Sequence, residues 1–292
     1  MHLLGERDVE IVAIGSTHGN CSSAQAETNT LRVLGVLGHG GIPVAVGNES
    51  PVPGAVHSAH VHGADGLGDA GLPEPSAAPT GELASDQIIR LSLEQPGELS
   101  RVAVGTMTNL SVALATDPNV LARYKAVWIL GGISERPKPD DREMFDANVF
   151  NSPDAAADLF QAEGNIVVVP IDTSYRLMFS PEQIEQIWAS TTPAARLAQA
   201  ILPCYFDFYQ QRIGYWSCCV HDPTVSVALL HPGLITGEVR RPMIVERYKD
   251  RYQGVGLEPG DAGFPVGSPA LRIITGVDPA PAVQLVVDAI IH

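Results

Sequence analysis

Apolar runs of strand length alternate with segments of helical spacing along most of the chain. Runs such as VEIVAIGS (9–16) and NIVVVPID (165–172) are largely apolar at consecutive positions, which is typical of strands buried on both faces. The predicted strands are 9–16, 42–47, 101–107, 126–132, 165–172 and 271–278, and the predicted helices are 24–39, 85–95, 109–124, 152–164, 180–190, 194–214, 222–232 and 281–291. This alternation predicts an α/β fold, in which an open, mostly parallel sheet has helices on both faces.

Chain length and loop composition favour one domain. The 292 residues suffice for one large α/β domain, and we expect a single domain over residues 1–292. Residues 51–83 are rich in Pro, Gly and Ala, and they predict a long loop. Loops of that length inside a domain are usually functional or disordered.

Net charge and cysteine content indicate which partners the protein is unsuited to bind and in which cell compartment we expect it. The formal net charge of −15 disfavours nucleic acid and anionic membrane surfaces, which both attract basic proteins. No run reaches the length of a membrane-spanning helix, and MHLLGERDVE lacks the apolar core of a secretory signal. The four cysteines, Cys21, Cys204, Cys218 and Cys219, form no C-x-x-C pair and fit free thiols. We therefore expect a cytoplasmic protein with no nucleic-acid or membrane partner.

The polar segments that follow the predicted strands indicate the kind of ligand. Ligands of open parallel sheets bind beyond the carboxyl ends of the strands. The corresponding segments are THGN (17–20), TN (108–109), residues 131–150, DTSY (172–175) and HDP (221–223). They are rich in Asn, Asp, Thr and His and poor in Lys and Arg, which suits a neutral polyhydroxyl ligand better than a phosphate. Motifs for dinucleotide binding, ATP binding and the serine-hydrolase nucleophile are absent from the sequence.

Three patterns in the sequence have two interpretations each. Asp222 precedes Pro223 and an apolar run, which predicts a helix N-cap, although a helix start can also turn a carboxylate and His221 toward a shared pocket. Tyr205, Phe206 and Tyr209 lie at helical spacing and fit either core packing or a wall against a nucleobase. The stretch HSAHVHG contains a possible zinc triad, made of the histidines at positions 57, 60 and 62.

Taken together, the motifs of the chain resemble those of a known family. VEIVAIGSTHGN, HVHGADGLGD, VAVGTMTNL, VWILGG, FDANVFNSPDAA, VPID and HDPTVSVALL occur in the order and approximate spacing of the inosine–uridine-preferring nucleoside hydrolases. The resemblance covers nearly the whole chain. It implies calcium-dependent hydrolysis of the N-glycosidic bond of ribonucleosides, on an open α/β fold and usually in a homo-oligomer.

The resemblance also implies roles for individual residues. Asp222 resembles a calcium-ligating carboxylate, and Thr108 resembles the residue whose backbone carbonyl also binds the ion; hard oxygen ligands of this kind suit calcium. His221 resembles a residue near the leaving base, His62 matches another histidine of the pocket, and we assign both to the catalytic group. The implied substrate-binding residues are Asn20, Asp146 and Asn148 at the ribose hydroxyls, with Tyr205 and Tyr209 at the base. The family generally has Glu where Asp146 stands.

One motif of the family is not found in this sequence. Family members open with an apolar strand that ends in D-x-D-x-G-x-D-D, and its carboxylates supply most of the calcium ligands and the general base. In our alignment those aspartates would lie before Met1, so we expect weak or no calcium binding and an incomplete centre of the sheet. The second hypothesis is therefore a non-catalytic relative that binds a nucleoside or a sugar.

Overall fold

The computed structural model describes residues 1–49, 58–138, 144–249 and 251–292. Its strands are β1 (Ile14–Gly15), β2 (Val44–Ala45), β3 (Ser100–Ala103), β4 (Ala126–Leu130), β5 (Ile166–Val169), β6 (Ile235–Arg241), β7 (Met243–Tyr248), β8 (Arg251–Gly256) and β9 (Leu271–Val277). The main sheet has the order β3-β4-β5-β9-β6, in which only β6 runs antiparallel to its neighbour. Strands β7 and β8 form an antiparallel pair.

The described part of the chain has twelve α-helices and two short 3₁₀-helices, at Leu121–Arg123 and Pro232–Leu234. The α-helices are α1 (His2–Gly5), α2 (Ser23–Val36), α3 (Ala59–His62), α4 (Ala84–Glu94), α5 (Thr108–Thr116), α6 (Ala147–Asn151), α7 (Pro153–Phe160), α8 (Ile171–Ser174), α9 (Pro181–Ala189), α10 (Pro193–Ile213), α11 (His221–Leu230) and α12 (Pro279–Ile291). None of these helices combines the length and the apolar character that crossing a membrane requires.

The main sheet separates two apolar cores, because successive side chains of a strand point to opposite faces. Trp128 and Leu130 of β4 pack in the core that α9, α10, α11 and α12 cover. Val127 and Ile129 of the same strand pack in the core on the other face, against α4, α5 and α7. Helices therefore cover both faces of a mostly parallel sheet, which confirms the predicted fold class.

Strands β1 and β2 form a separate, parallel two-stranded sheet. Among the described residues, β1 pairs only with β2, and β3 pairs only with β4. Side chains connect the loops that follow β1 and β3: the hydroxyl oxygens of Thr17 and Thr106 are 2.7 Å apart, and Thr106 donates to the carbonyl of His18. The two sheets are thus joined through hydroxyl groups at this point, and not by a strand ladder.

Several sequence predictions require correction. Strands β6, β7 and β8 were not predicted, and the strands expected over 9–16 and 42–47 are only two residues long. The expected loop 51–83 contains α3, so His60 and His62 lie on a short helix, and not on one face of a strand. Residues 50–57, which include His57, residues 139–143 and residue 250 lie outside the described part of the chain.

Candidate active site

Helix α11 begins with the two residues that the sequence singled out, but Asp222 is not its cap. The N-cap is Val220, His221 is the first helical residue, and no side chain caps this end. Pro223 fits as the third helical residue, because the first N–H groups of a helix have no intrahelical partner in any case. Asp222 makes no hydrogen bond or ion pair with the described residues. The prediction of an N-cap at Asp222 is therefore wrong, and the carboxylate is available for other interactions.

His221 is held by two hydrogen bonds that define its neutral tautomer. The hydroxyl of Ser174 donates to the carbonyl of Ile171, so its oxygen accepts from Nδ1 of His221 at 2.7 Å. Nε2 then carries the lone pair and accepts from the hydroxyl of Tyr209 at 2.8 Å. The ring of Tyr175 meets the imidazole edge-on, with 4.8 Å between the ring centroids. Both nitrogens of His221 are consequently engaged.

Helix α10 supplies the aromatic side chains around this histidine. The hydroxyl of Tyr205 donates to that of Tyr209 at 3.5 Å, and the ring of His62 stacks on Tyr205 with 5.0 Å between centroids. Phe206 points the other way, is fully buried and packs in the core with Trp188. Of the three aromatic residues, Phe206 thus belongs to the core, while Tyr205 and Tyr209 lie where the predicted wall against a nucleobase would be. We call His221, Ser174, Tyr209, Tyr205 and His62 the His221 cluster.

Burial controls the protonation of the His221 cluster. It lowers the pKa of His221 to about 4, with a further contribution from the nearby His62. It also lowers the pKa of His62 to about 4, with a smaller contribution from His60. Burial raises the pKa of Tyr205, and Cys218 and, to a smaller extent, the negative charge of Asp222 raise it further. At neutral pH the cluster holds uncharged imidazoles and protonated phenols.

Asp222 alone does not make a calcium site. Asp222 is exposed as a whole residue. The protein around its carboxyl group nevertheless desolvates that group and raises its pKa to about 6. Thr108, the other predicted ligand, is buried at the start of α5, where its hydroxyl bonds to His18 and to Ser152. Calcium takes six to eight oxygens. One carboxylate and one backbone carbonyl do not fit that requirement, so the described residues by themselves do not form the expected site.

The three residues predicted at the ribose have different surroundings. Asp146 is buried, caps α6, and accepts backbone N–H groups from Gly132 and Asn148, among others. Desolvation raises its pKa to about 6, although these N–H groups oppose the shift. The Nδ2 group of Asn148 donates to the carbonyls of Val104, which follows β3, and of Leu130, the last residue of β4. Asn20 is exposed in the loop after β1.

Comparison with protein families identifies the family to which this chain belongs. The family described as inosine-uridine preferring nucleoside hydrolase matches residues 1–283. This chain belongs to that family. The members of the nucleoside hydrolase family are hydrolytic enzymes, and the match covers every element described above except the end of α12.

Individual relatives within the nucleoside hydrolase family agree with this assignment. A probable uridine nucleosidase 1 from Oryza sativa subsp. japonica is 29% identical over 230 residues, covering 78% of this chain and 71% of the relative. A pyrimidine-specific ribonucleoside hydrolase from Citrobacter koseri is 28% identical over 254 residues, covering 86% of this chain and 80% of the relative. A solved plant nucleoside hydrolase has a TM-score of 0.88 at 23% identity, over 99% of this chain and 93% of that chain.

The nucleoside hydrolase fold brings together residues that sequence reasoning had not assigned. Ser174 and Tyr175 contact His221 from α8 and its C-terminal end, although the sequence marked them only as part of a strand-end segment. The zinc interpretation of HSAHVHG stays untested, because His57 lies outside the described residues. In the described part of the chain, the one group of three potential metal ligands lies elsewhere. His60 instead meets Phe208 edge-on.

Proposed function

We propose that this protein hydrolyses the N-glycosidic bond of ribonucleosides and releases ribose and a free base. The observation that carries the proposal is the buried chain of hydrogen bonds from Tyr205 through Tyr209 to His221. Aromatic rings can pack against a planar nucleobase, and a histidine among them can donate a proton to the base or accept one from it. Uridine is the first substrate to test, because two relatives are named as a uridine nucleosidase and a pyrimidine-specific hydrolase.

The proposed reaction requires two proton transfers. The bond between the ribose C1′ and the base nitrogen breaks, and its electron pair leaves with the base. Water adds a hydroxyl group to C1′ and loses one proton, while the base nitrogen gains one. The transition state of such a cleavage has oxocarbenium character, so negative charge develops on the base as the bond breaks. General acid catalysis at the base typically accelerates such a step by roughly 10²–10⁴-fold.

We assign the transfer to the base to His221 together with Tyr209. At rest His221 is neutral, because burial lowers its pKa to about 4, and its Nε2 accepts from the hydroxyl of Tyr209. In this proposal the hydroxyl proton of Tyr209 passes to the base nitrogen as negative charge develops there. A proton from solvent, equal to the one that the attacking water gives to Asp222, restores the hydroxyl afterwards. Ser174 keeps the imidazole oriented through Nδ1. His62 and Tyr205 form the stacked wall of the base pocket in this proposal.

On the sugar side we assign the carboxylate role to Asp222. Its pKa of about 6 leaves it ionised at neutral pH and basic enough to accept a proton from water. Asn20, Asp146 and Asn148 stay the predicted contacts of the ribose hydroxyls. Weak or absent calcium binding at Asp222 and Thr108 also stays a prediction, and no step of the proposed reaction depends on calcium.

The second candidate function is binding of a nucleoside or sugar without catalysis. It is favoured because Asp222 and one backbone carbonyl are fewer oxygens than the six to eight that a calcium ion takes. Binding without release of ribose would distinguish it from the enzyme.

The test measures ribose release from uridine and from inosine by a reducing-sugar assay, with and without calcium. We expect release by the wild-type chain and a fall in kcat of roughly 10²–10⁴-fold in His221→Ala, the range for loss of a general acid or base. The matched control is His39→Gln, because His39 is exposed, and its kcat should equal that of the wild type. Undiminished release by His221→Ala contradicts the assignment. Nucleoside binding by calorimetry without any release supports the second candidate.

A further inference from the structure

A second cluster of titratable side chains lies at the other end of helix α11 from the His221 cluster. His2 belongs to α1, Glu6 follows α1 directly, and His231 is the C-cap of α11. The ten residues of α11 rise about 15 Å along the helix axis, so this cluster is separate from His221. It is the one group of three potential metal ligands found among the described residues.

The three side chains converge on one point. Nε2 of His2 and Nε2 of His231 each lie 3.3 Å from Oε1 of Glu6, and the three ligand atoms all lie within 4.8 Å of one another. A tetrahedral zinc site with bonds of about 2.0–2.1 Å places its ligand atoms about 3.3 Å apart. Two of the three edges therefore already have the length that zinc requires, and the third, between the two histidine nitrogens, is at most 4.8 Å.

The hydrogen bonds of His2 fix its tautomer. The hydroxyl of Ser226 donates to the carbonyl of Pro223 at 3.0 Å, so its oxygen accepts from Nδ1 of His2 at 2.8 Å. Nε2 of His2 then carries a lone pair. Metal-binding histidines commonly use the second ring nitrogen in this way, and the outer bond orients the ring toward the ion.

The lone pair on Nε2 of His2 lies close to the Glu6 carboxylate, and a cation between the two groups would stabilise both. The side chain of His2 is only 3% exposed, and its Nε2 atom has no hydrogen-bond partner among the described residues, although Glu6 is near. A lone pair and a carboxylate oxygen 3.3 Å apart repel each other unless a positive charge lies between them.

We propose that His2, Glu6 and His231 bind a zinc-type divalent cation. Two imidazoles and one carboxylate form a ligand set typical of zinc, and a water molecule would fill the fourth position. The side chains of Glu6 and His231 are 27% and 32% exposed, so an ion can enter from solvent. The site joins α1 to the C-terminal end of α11.

Metal binding at this place should stabilise the packing of α1. This short helix packs against α12, where a Cβ atom on Gly5 would lie only 2.8 Å from that of Ala289. Without the ion, His2, which bonds to Ser226 of α11 through Nδ1, keeps a buried and unpartnered Nε2 atom. We therefore expect zinc to raise the Tm, because an ion that binds the folded chain shifts the unfolding equilibrium.

The test uses the whole chain without a polyhistidine tag, since such a tag binds zinc itself. Zinc is titrated in competition with a chromophoric chelator, and Tm is followed with zinc and separately with calcium. We expect one zinc ion per wild-type chain and a higher Tm with zinc but not with calcium. Glu6→Gln and His231→Gln should each weaken zinc binding by at least about 10- to 100-fold, the loss that even an outer-shell substitution produces. The control is the exposed His39→Gln, which should bind zinc like the wild type.

Two further measurements keep the outcome clear. Cobalt absorption should show tetrahedral bands in the wild type and lose them in Glu6→Gln, and Ser226→Ala should weaken zinc binding while it leaves the stoichiometry at one. Both ligand variants should keep the wild-type Tm in chelator, which shows that they fold. The proposal is overturned if zinc does not bind, or if it binds Glu6→Gln and His231→Gln as tightly as the wild type.

Discussion

The Tyr209 hydroxyl has two partners in the His221 cluster: it donates to Nε2 of His221 and accepts from the hydroxyl of Tyr205. Tyr209→Phe keeps the buried ring and removes both contacts, and the loss of the donor to Nε2 costs about 1–3 kcal/mol. We expect kcat for uridine to fall toward the roughly 10²-fold loss expected for impaired general acid catalysis, with little change in KM. Steady-state kinetics check this. Tyr215→Phe is the control, because Tyr215 is exposed, and equal kcat values in the two variants would count against the assigned role.

His62 should make the folded state sensitive to mild acid. Its pKa of about 4 lies below the 6.5 of an unfolded chain. Below pH 6.5 the unfolded chain takes up a proton that the folded chain does not, so stability decreases as the pH falls from about 6.5 to about 4. His62→Gln should remove up to about 3 kcal/mol of this decrease.

The measurement for His62 is urea unfolding at pH 7, 5.5 and 4.5. The difference in unfolding free energy between pH 7 and pH 4.5 should shrink in His62→Gln. It should persist in His39→Gln, which changes an exposed histidine. An unaltered pH dependence in His62→Gln would refute the linkage.

Residue types and the family resemblance were sufficient to find much of the His221 cluster. His62, Tyr205, Tyr209 and His221 come from three separate segments, and the structure brings them together. Ser174 was not assigned, because no local pattern distinguishes a serine that orients a histidine from any other serine near a strand end. Its role depends on a 2.7 Å contact with a residue 47 positions away.

At the scale of elements, burial determined what could be predicted. Strands β4 and β5 are buried throughout, and their unbroken apolar runs are a strong signal. Strand β6 alternates between half-buried and exposed positions, because it lies at the edge of the sheet. The sequence ITGEVRR has this alternation with a period of two. It was missed because the segment contains polar residues, and continuous apolar runs are the signal on which the strand predictions depend. The pair β7 and β8 was missed in the same region.

The loop after α3 depends on the close approach of one glycine to α10. Gly68 has a φ of +69°, and a Cβ atom there would lie 2.7 Å from the carbonyl oxygen of Ile201. Its N–H donates to the carbonyl of His62, so displacement of the loop would also move the ring that stacks on Tyr205. We expect Gly68→Ala to destabilise the fold by about 1–3 kcal/mol and to raise KM for uridine.

Gly71 provides the matched control for this prediction. Its φ is +62°, but no atom lies within 4 Å of the position that a Cβ would take. Gly71→Ala thus has similar backbone strain without the collision. Thermal unfolding of both variants should show a clearly larger loss of Tm for Gly68→Ala, and equal losses would show that contact with α10 contributes nothing.

For the whole molecule, the division of the β-structure into two sheets has a consequence for cooperativity. The ladder between β1 and β2 consists of few bonds, such as those from the N–H of Ile14 to Pro43 and from the N–H of Ser16 to Ala45. The contacts described between the loops of β1 and β3 are side-chain hydrogen bonds, which open more readily than a continuous ladder inside a core. The region around β1 and β2 should therefore open as a unit of its own while the five-stranded sheet stays closed.

Hydrogen–deuterium exchange can reveal such an opening. The amides of Ile14 and Ser16 should exchange with a smaller protection factor than the amide of Val127, which lies in the buried strand β4. Mild urea should leave this difference in place until global unfolding begins. Equal protection of all three amides would mean that the two sheets unfold together. If the difference is found, the loop that carries Asn20 belongs to the part of the protein that opens first, so local stability would limit how long the proposed ribose contact stays formed.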